Sequence, residues 1–183
     1  HELHNVRKLH LKWHKDDRAY CRELYCYDLF RRFGIWTAAY SSYCRLWIHV
    51  EGDKEAAYYG VYEMIEAIDD KYVKKRKDLF GDHKHNLWKC RWGANLNYND
   101  IKGAWIGCDD NSSNNYIYEL KSNTENFEAA KEQLCEFSKN LTRLEGQEFH
   151  DWIAEVCDVR LLLRTYAVNV VVGMWDDYWN NQN

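Results

Sequence analysis

The chain has 183 residues, 46% of them hydrophobic and 30% charged, enough apolar material for one globular domain with a sizeable core. No window approaches the run of about 18 apolar residues that a membrane span needs, and a net charge of −4 speaks against a many-phosphate grip on double-stranded DNA or long RNA. Seven Cys without a Cys-x-x-Cys pair disfavour a zinc knuckle, and free thiols in a reducing, cytoplasmic compartment are the simplest account of them.

Lys8 to Trp13 alternates polar and apolar residues and predicts a half-buried strand, followed by a polar turn over His14 to Asp17. Tyr20 to Phe30, rich in Tyr and Cys, predicts a second strand, and the aromatic run Phe33 to Trp47 a short helix. Asp53 to Phe80 predicts an amphipathic helix, because Ala57, Val61, Met64, Ile65, Ile68 and Tyr72 keep helical spacing. Lys74 to Lys77 suit its last turns, where cations meet the helix dipole, and read as a solvated end rather than an RNA patch.

Strands are expected over His85 to Trp92 and Lys102 to Cys108, with an Asn-rich loop between them and a polar turn over Asp109 to Asn115. Ser122 and Glu125 read as a capping box that opens a second long helix, Phe127 to Glu145. Its Phe127, Ala130, Leu134, Phe137, Leu141 and Leu144 form one apolar stripe, and Gly146 is a good residue to end it. Val159 to Arg164 and Val168 to Trp175 predict a hairpin turning at Thr165 to Ala167. Strands interleaved with helices predict an α+β fold, with long helices over one face of an antiparallel sheet.

The chemistry legible in the residues is that of a binding protein. A Gly-rich phosphate loop, a Ser nucleophile elbow and a paired-carboxylate motif are all missing, so neither an enzyme nor a cofactor is expected. His10 and His14 on one strand would stand roughly 13 Å apart, too far for one metal. His83 and His85 are better spaced, yet nothing completes a ligand set, and no metal is expected. Asp176-Asp177 reads as a solvated end. Nine Trp and fourteen Tyr supply core volume, with a few available as stacking surfaces.

Gly146-Gln147-Glu148-Phe149 after a long helix, then Val156-Cys157, a strand carrying Arg164 and a strand ending at Trp175 resemble the eukaryotic translation initiation factor 4E family, whose members hold the 5′ cap of messenger RNA. His1, Leu3 and Asn5 are similar to the family's opening, and Tyr20, with Leu24 and Phe30 in step behind it, falls at its first cap-stacking Trp. Leu79-Phe80 and Asp82 resemble the lead-in to the second stacking Trp. That is Trp88 by forward spacing, or Trp92 counting back from Asn99 to Trp105, and Trp88 is preferred.

The resemblance implies a single 4E-like domain over 1–183, with a curved antiparallel sheet, helices on its convex face, a helical insertion at 53–80 and a loop insertion at 109–122. It implies a cationic 7-methylguanosine sandwiched between aromatic rings, with Trp175 at the methyl group and Arg164 on the phosphates. Phe33, Trp36 and Tyr40 resemble the family's dorsal motif, so a helical partner peptide is implied against Phe33, Trp36 and Leu141. The family's guanine-binding Glu is replaced by Lys89 after Trp88 and by Gly93 after Trp92, which leaves Asp82 or Asp100 to take the guanine edge. The function implied is cytoplasmic, in translation initiation or its control. Two alternatives stand beside it: a secreted recognition domain glycosylated at Asn111 and Asn140 and braced by disulfides, or a 4E-like scaffold that has lost the cap.

Overall fold

The computed structural model describes residues 8–81, 84–106 and 116–180, with only the backbone of Trp105 and Ile106. The chain divides into two units, His1–Ile68 and Asp69–Asn183.

In the first unit, strands β1 (His10–Lys12), β2 (Ser41–Ile48) and β3 (Ala57–Ile65) form an antiparallel sheet in the order β1-β3-β2. Helix α1 (Arg22–Arg32) joins β1 to β2. The expected first strand is present as the three residues of β1 with the polar turn after it, but it is exposed along its length, Leu9, Leu11 and Trp13 included, rather than half-buried. Three expectations fail here. Tyr20 to Phe30 is mostly α1 and not a strand. Asp17 takes the backbone N–H groups of Ala19, Cys21 and Arg22 at 3.0, 2.7 and 2.6 Å, satisfying donors a nascent helix leaves open, and Asp28 pairs with Arg32 one turn on at 2.5 Å.

Phe33 to Trp47 is no helix, since from Ser41 onward it pairs residue by residue with β3. Residues 53–80 are no single helical insertion either. Ala57–Ile65 is the central strand, paired on both edges, with His10, Leu11 and Lys12 on one side and Ser41 to Ile48 on the other. Its Tyr58, Tyr59, Tyr62, Val61 and Ile65 suit a pleated surface, and two ladders outweigh the helical spacing of its apolar residues. Only after Asp69, whose carboxylate caps the Lys71 N–H at 2.9 Å, does helix begin, as α2 (Asp70–Lys75) and α3 (Lys77–Phe80).

The second unit also holds β4 (Leu87–Cys90), α4 (Tyr98–Lys102), β5 (Trp105–Ile106), β6 (Tyr118–Ser122) and α5 (Phe127–Arg143). β6 lies between β4, antiparallel to it, and β5, parallel to it. β4 and α5 fall where the sequence predicts them. Within the expected strand Lys102 to Cys108, Lys102 ends α4 and only Trp105–Ile106 pairs. Ser122 belongs to β6 and makes no capping box. Ala94, Ile101, Ala104, Tyr118 and Cys135 form the buried core, against which Trp88, Leu96, Tyr98, Phe127 and Leu134 pack. Two hydrogen bonds fasten the loop before α4 into it: the Leu96 N–H donates to the Tyr118 hydroxyl at 2.7 Å, and Ser138 donates to the Leu96 carbonyl at 2.6 Å.

The predicted hairpin is two helices, α6 (Gly146–Val156) and α7 (Val159–Val172). Gly146, at φ 55°, opens α6 rather than merely ending α5. Asp158 caps α7 through the Leu161 N–H at 2.9 Å. Gly173 closes it in the left-handed conformation, with the Met174 N–H on the Asn169 carbonyl at 2.9 Å. Those caps outweigh the strand preference of its five valines. Among the described residues no helix is long and apolar enough to cross a membrane.

Candidate functional site

One ion pair in the first unit joins a strand to a helix. The Lys12 ammonium, at the end of β1, lies 2.7 Å from both carboxylate oxygens of Glu23 in the first turn of α1. The lysine side chain is 55% exposed and the glutamate 37%, and such a pair adds only about 0–1 kcal/mol, so stability is a poor reason for it. Asp17 sets the position of Glu23 by fixing where α1 starts. Its carboxylate is held below the ordinary value, first by the Arg22 N–H, against the opposing effect of burial, and then by the N–H groups of Ala19 and Cys21.

Directly across the ladder from Lys12 sits Glu63, only 1% exposed. One of its carboxylate oxygens is buried without a hydrogen-bond partner, as are the Ser41 hydroxyl and His14 Nε2. Burial pushes its carboxyl up and the Glu23 charge adds to that, while His14, Lys12 and Ser41 act in the opposite sense. Beyond Lys12 an open groove of about 700 Å³ runs past Trp13, His14, Tyr20, Tyr43, Tyr59 and Val61. The Tyr43 hydroxyl donates to the Tyr20 carbonyl, and the His14 and Tyr20 rings meet edge to face at 5.0 Å.

In the second unit, the segment after α7 turns back on itself. Asp177 accepts from the Asn180 N–H at 2.9 Å and from the Asn169 side chain at 3.2 Å, and the Asn180 side chain donates to the Met174 carbonyl at 3.4 Å. Trp179 meets Tyr166 of α7 edge to face at 5.4 Å. The segment Asp176-Asp177 is therefore a folded acidic turn, with Asp177 tied into it. Among the described residues no three His, Cys, Asp or Glu converge in a way that would hold a metal.

The residues expected to hold a cap are not gathered by either unit. Tyr20 (φ 54°) lines the groove of the first unit, with its side chain 60% exposed. Trp88 is committed to the core of the second, its ring 6.4 Å from Phe127. Trp92 lies exposed in the turn after β4, and Asp100 is half-buried in α4. Arg164 is exposed in the middle of α7 and Trp175 is exposed beyond it, so neither ends a strand. Phe33 and Trp36 follow α1 in the first unit, whereas Leu141 is on α5 in the second. His1, Leu3, Asn5, Asp82, His83 and Asn111 lie outside the described residues. Asn140 is inside α5, where its side-chain oxygen accepts from Arg143 at 3.0 Å. The six described cysteines are all free thiols, so no bridge braces the secreted alternative among them.

A family model described as CotH kinase protein matches residues 1–183. No curated protein and no solved structure matches the chain. The match overturns the resemblance to initiation factor 4E and, with it, the cap nucleotide, the helical partner peptide and the role in translation. The physical reason is visible in the segment that carried the resemblance: its two supposed strands are the single helix α7.

Proposed function

We propose, since this chain belongs to the CotH kinase family, that it serves phosphoryl transfer from a nucleoside triphosphate. The observation that carries the reading is the Lys12–Glu23 pair. Protein kinases hold a strand lysine on the donor's phosphates by pairing it with a glutamate on the following helix, and the lysine closes an apolar-x-apolar-Lys strand motif. Leu9-His10-Leu11-Lys12 keeps that pattern, and Glu23 on α1 supplies the partner at 2.7 Å. An exposed ammonium held by one carboxylate presents its remaining protons to phosphate oxygens, and Asp17 supports it from behind by anchoring the start of α1.

The acidic turn of the second unit carries, within its own unit, a spacing that kinases also use. Kinase catalytic loops carry an Asp that accepts the proton of the acceptor hydroxyl and, five residues on, an Asn. Asp176 and Asn181 keep that spacing along the chain, Asn181 lying outside the described residues, and Asp177 ties the described part of the turn to Asn169 and Asn180. The sequence signals for each feature were present, a strand ending in Lys ahead of a Glu-bearing helix and an Asp–Asn spacing, but each is short and neither has a glycine-rich loop in this chain to draw attention to it.

Calorimetric titration with ATP and magnesium tests the reading. Saturable binding that Lys12→Met weakens at least tenfold supports it; binding of ATP unaffected by that change removes its basis.

A further inference from the structure

We propose that Glu63 is a positioning residue for the Lys12–Glu23 pair: a third carboxylate, enclosed between the sheet and α1, that leaves the pair closed while it is uncharged and competes with Glu23 for Lys12 when it ionises. The inference rests on the phosphoryl-transfer reading for its functional meaning, but not for its physics.

The geometry is a triangle of charge. Lys12 and Glu63 are register partners in the antiparallel ladder, so their side chains stand on the same face of the sheet. Glu23 reaches that face from α1 and takes the ammonium at 2.7 Å. Among the described residues Glu63 makes no ion pair and leaves one carboxylate oxygen without a partner, and it is 1% exposed. The groups that face it are Lys12 and His14 from β1 and the turn after it, Glu23, Cys26 and Tyr27 from α1, and Ser41 and Tyr43 from β2. Among the described residues that face it, Lys12 is the one cation charged throughout the neutral range, and it is already engaged.

A buried carboxylate in those surroundings is tolerable when protonated. Once charged, it has two ways to relieve itself, and both open the pair: it draws Lys12 away from Glu23, or it repels Glu23 and the first turn of α1 with it. Glu63 therefore couples the proton concentration to the position of the lysine that the proposed reaction needs.

Thermal unfolding of the whole chain tests this without any turnover. Lys12→Met and Glu23→Gln, singly and together, give the coupling between the pair, measured in the parent and in a Glu63→Gln background. The expected results are a Tm for Glu63→Gln above the parent's by a margin that widens from pH 5 to pH 8, and a Lys12–Glu23 non-additivity at pH 8 at least doubled in that background. Glu63→Met, similar in size and without charge, should reproduce both. A constant margin across pH with equal non-additivity in the two backgrounds would overturn the proposal. ATP titration of the same proteins separates the two claims. Coupling that depends on Glu63 in a chain that binds no ATP would sink the phosphoryl-transfer reading alone. ATP binding with no such coupling would sink the role of Glu63 alone.

Discussion

Lys12 and Glu23 are held together by a strand and a helix joined through residues 13–21, with the ammonium 2.7 Å from each carboxylate oxygen. Nothing in the helix itself places Glu23 there. Cys21 occupies the N-cap without a side-chain cap, and the carboxylate of Asp17, four residues earlier, does the capping. The pair therefore depends on a residue that touches neither member.

Asp17→Ala should lower the Tm and loosen the start of α1, with hydrogen exchange at Cys21 and Arg22 rising first. The pH sign follows from the depressed carboxyl of Asp17. Its contribution is present above the ordinary value of 3.8 and is lost as pH falls through the lower native value. A variant whose acid unfolding matches the parent's would remove Asp17 from the account.

Trp88 and Trp92, equivalent as stacking candidates in the sequence, should separate cleanly in stability. Trp88→Ala takes a ring out of the core of the second unit and should cost about 3–5 kcal/mol. Trp92 is 76% exposed, and Trp92→Ala should stay within about 0.5 kcal/mol. Urea unfolding of the two variants settles it, and equal losses would mean that the core is drawn wrongly.

Tyr118 is fully buried and its hydroxyl accepts the Leu96 N–H, so Tyr118→Phe should cost about 1–3 kcal/mol by leaving that donor unsatisfied. Burial pushes its phenol up to about 12. A raised native value means that stability is intact below pH 10 and falls as pH climbs from 10 towards 12. Ultraviolet titration should find one tyrosine ionising only as the second unit opens. Loss of that late tyrosine in Tyr118→Phe identifies it, and its persistence would assign it elsewhere.

The sequence revealed those elements whose local signal and tertiary role agree. β1 pairs as a strand, though its alternation does not give it a buried face; α5 carries an apolar stripe in which Ala130 is buried, with Cys135 buried beside it. It misled where the two diverge. Ala57–Ile65 has the spacing of an amphipathic helix, yet its partners on both sides were invisible until the ladders were known. Val159–Val172 has the composition of strands, and only the caps at Asp158 and Gly173 argue otherwise. The candidate site fared worse for a physical reason. An abundance of Trp and Tyr favoured a stacking pocket, whereas the observed ionic site consists of one lysine, one glutamate and a turn, residue types common on any surface. Their significance lies in the 2.7 Å between them, which spacing along the chain does not encode.

The central claim is that the Lys12–Glu23 pair serves phosphoryl transfer. Its most direct test is incorporation of label from γ-³²P-ATP, by the chain itself or onto an added acceptor protein, comparing the parent with Lys12→Met and Glu23→Gln. The account predicts transfer by the parent, a loss of at least a hundredfold in Lys12→Met, a smaller loss in Glu23→Gln, and thermal stability close to the parent's in both. Transfer that survives Lys12→Met undiminished would contradict it.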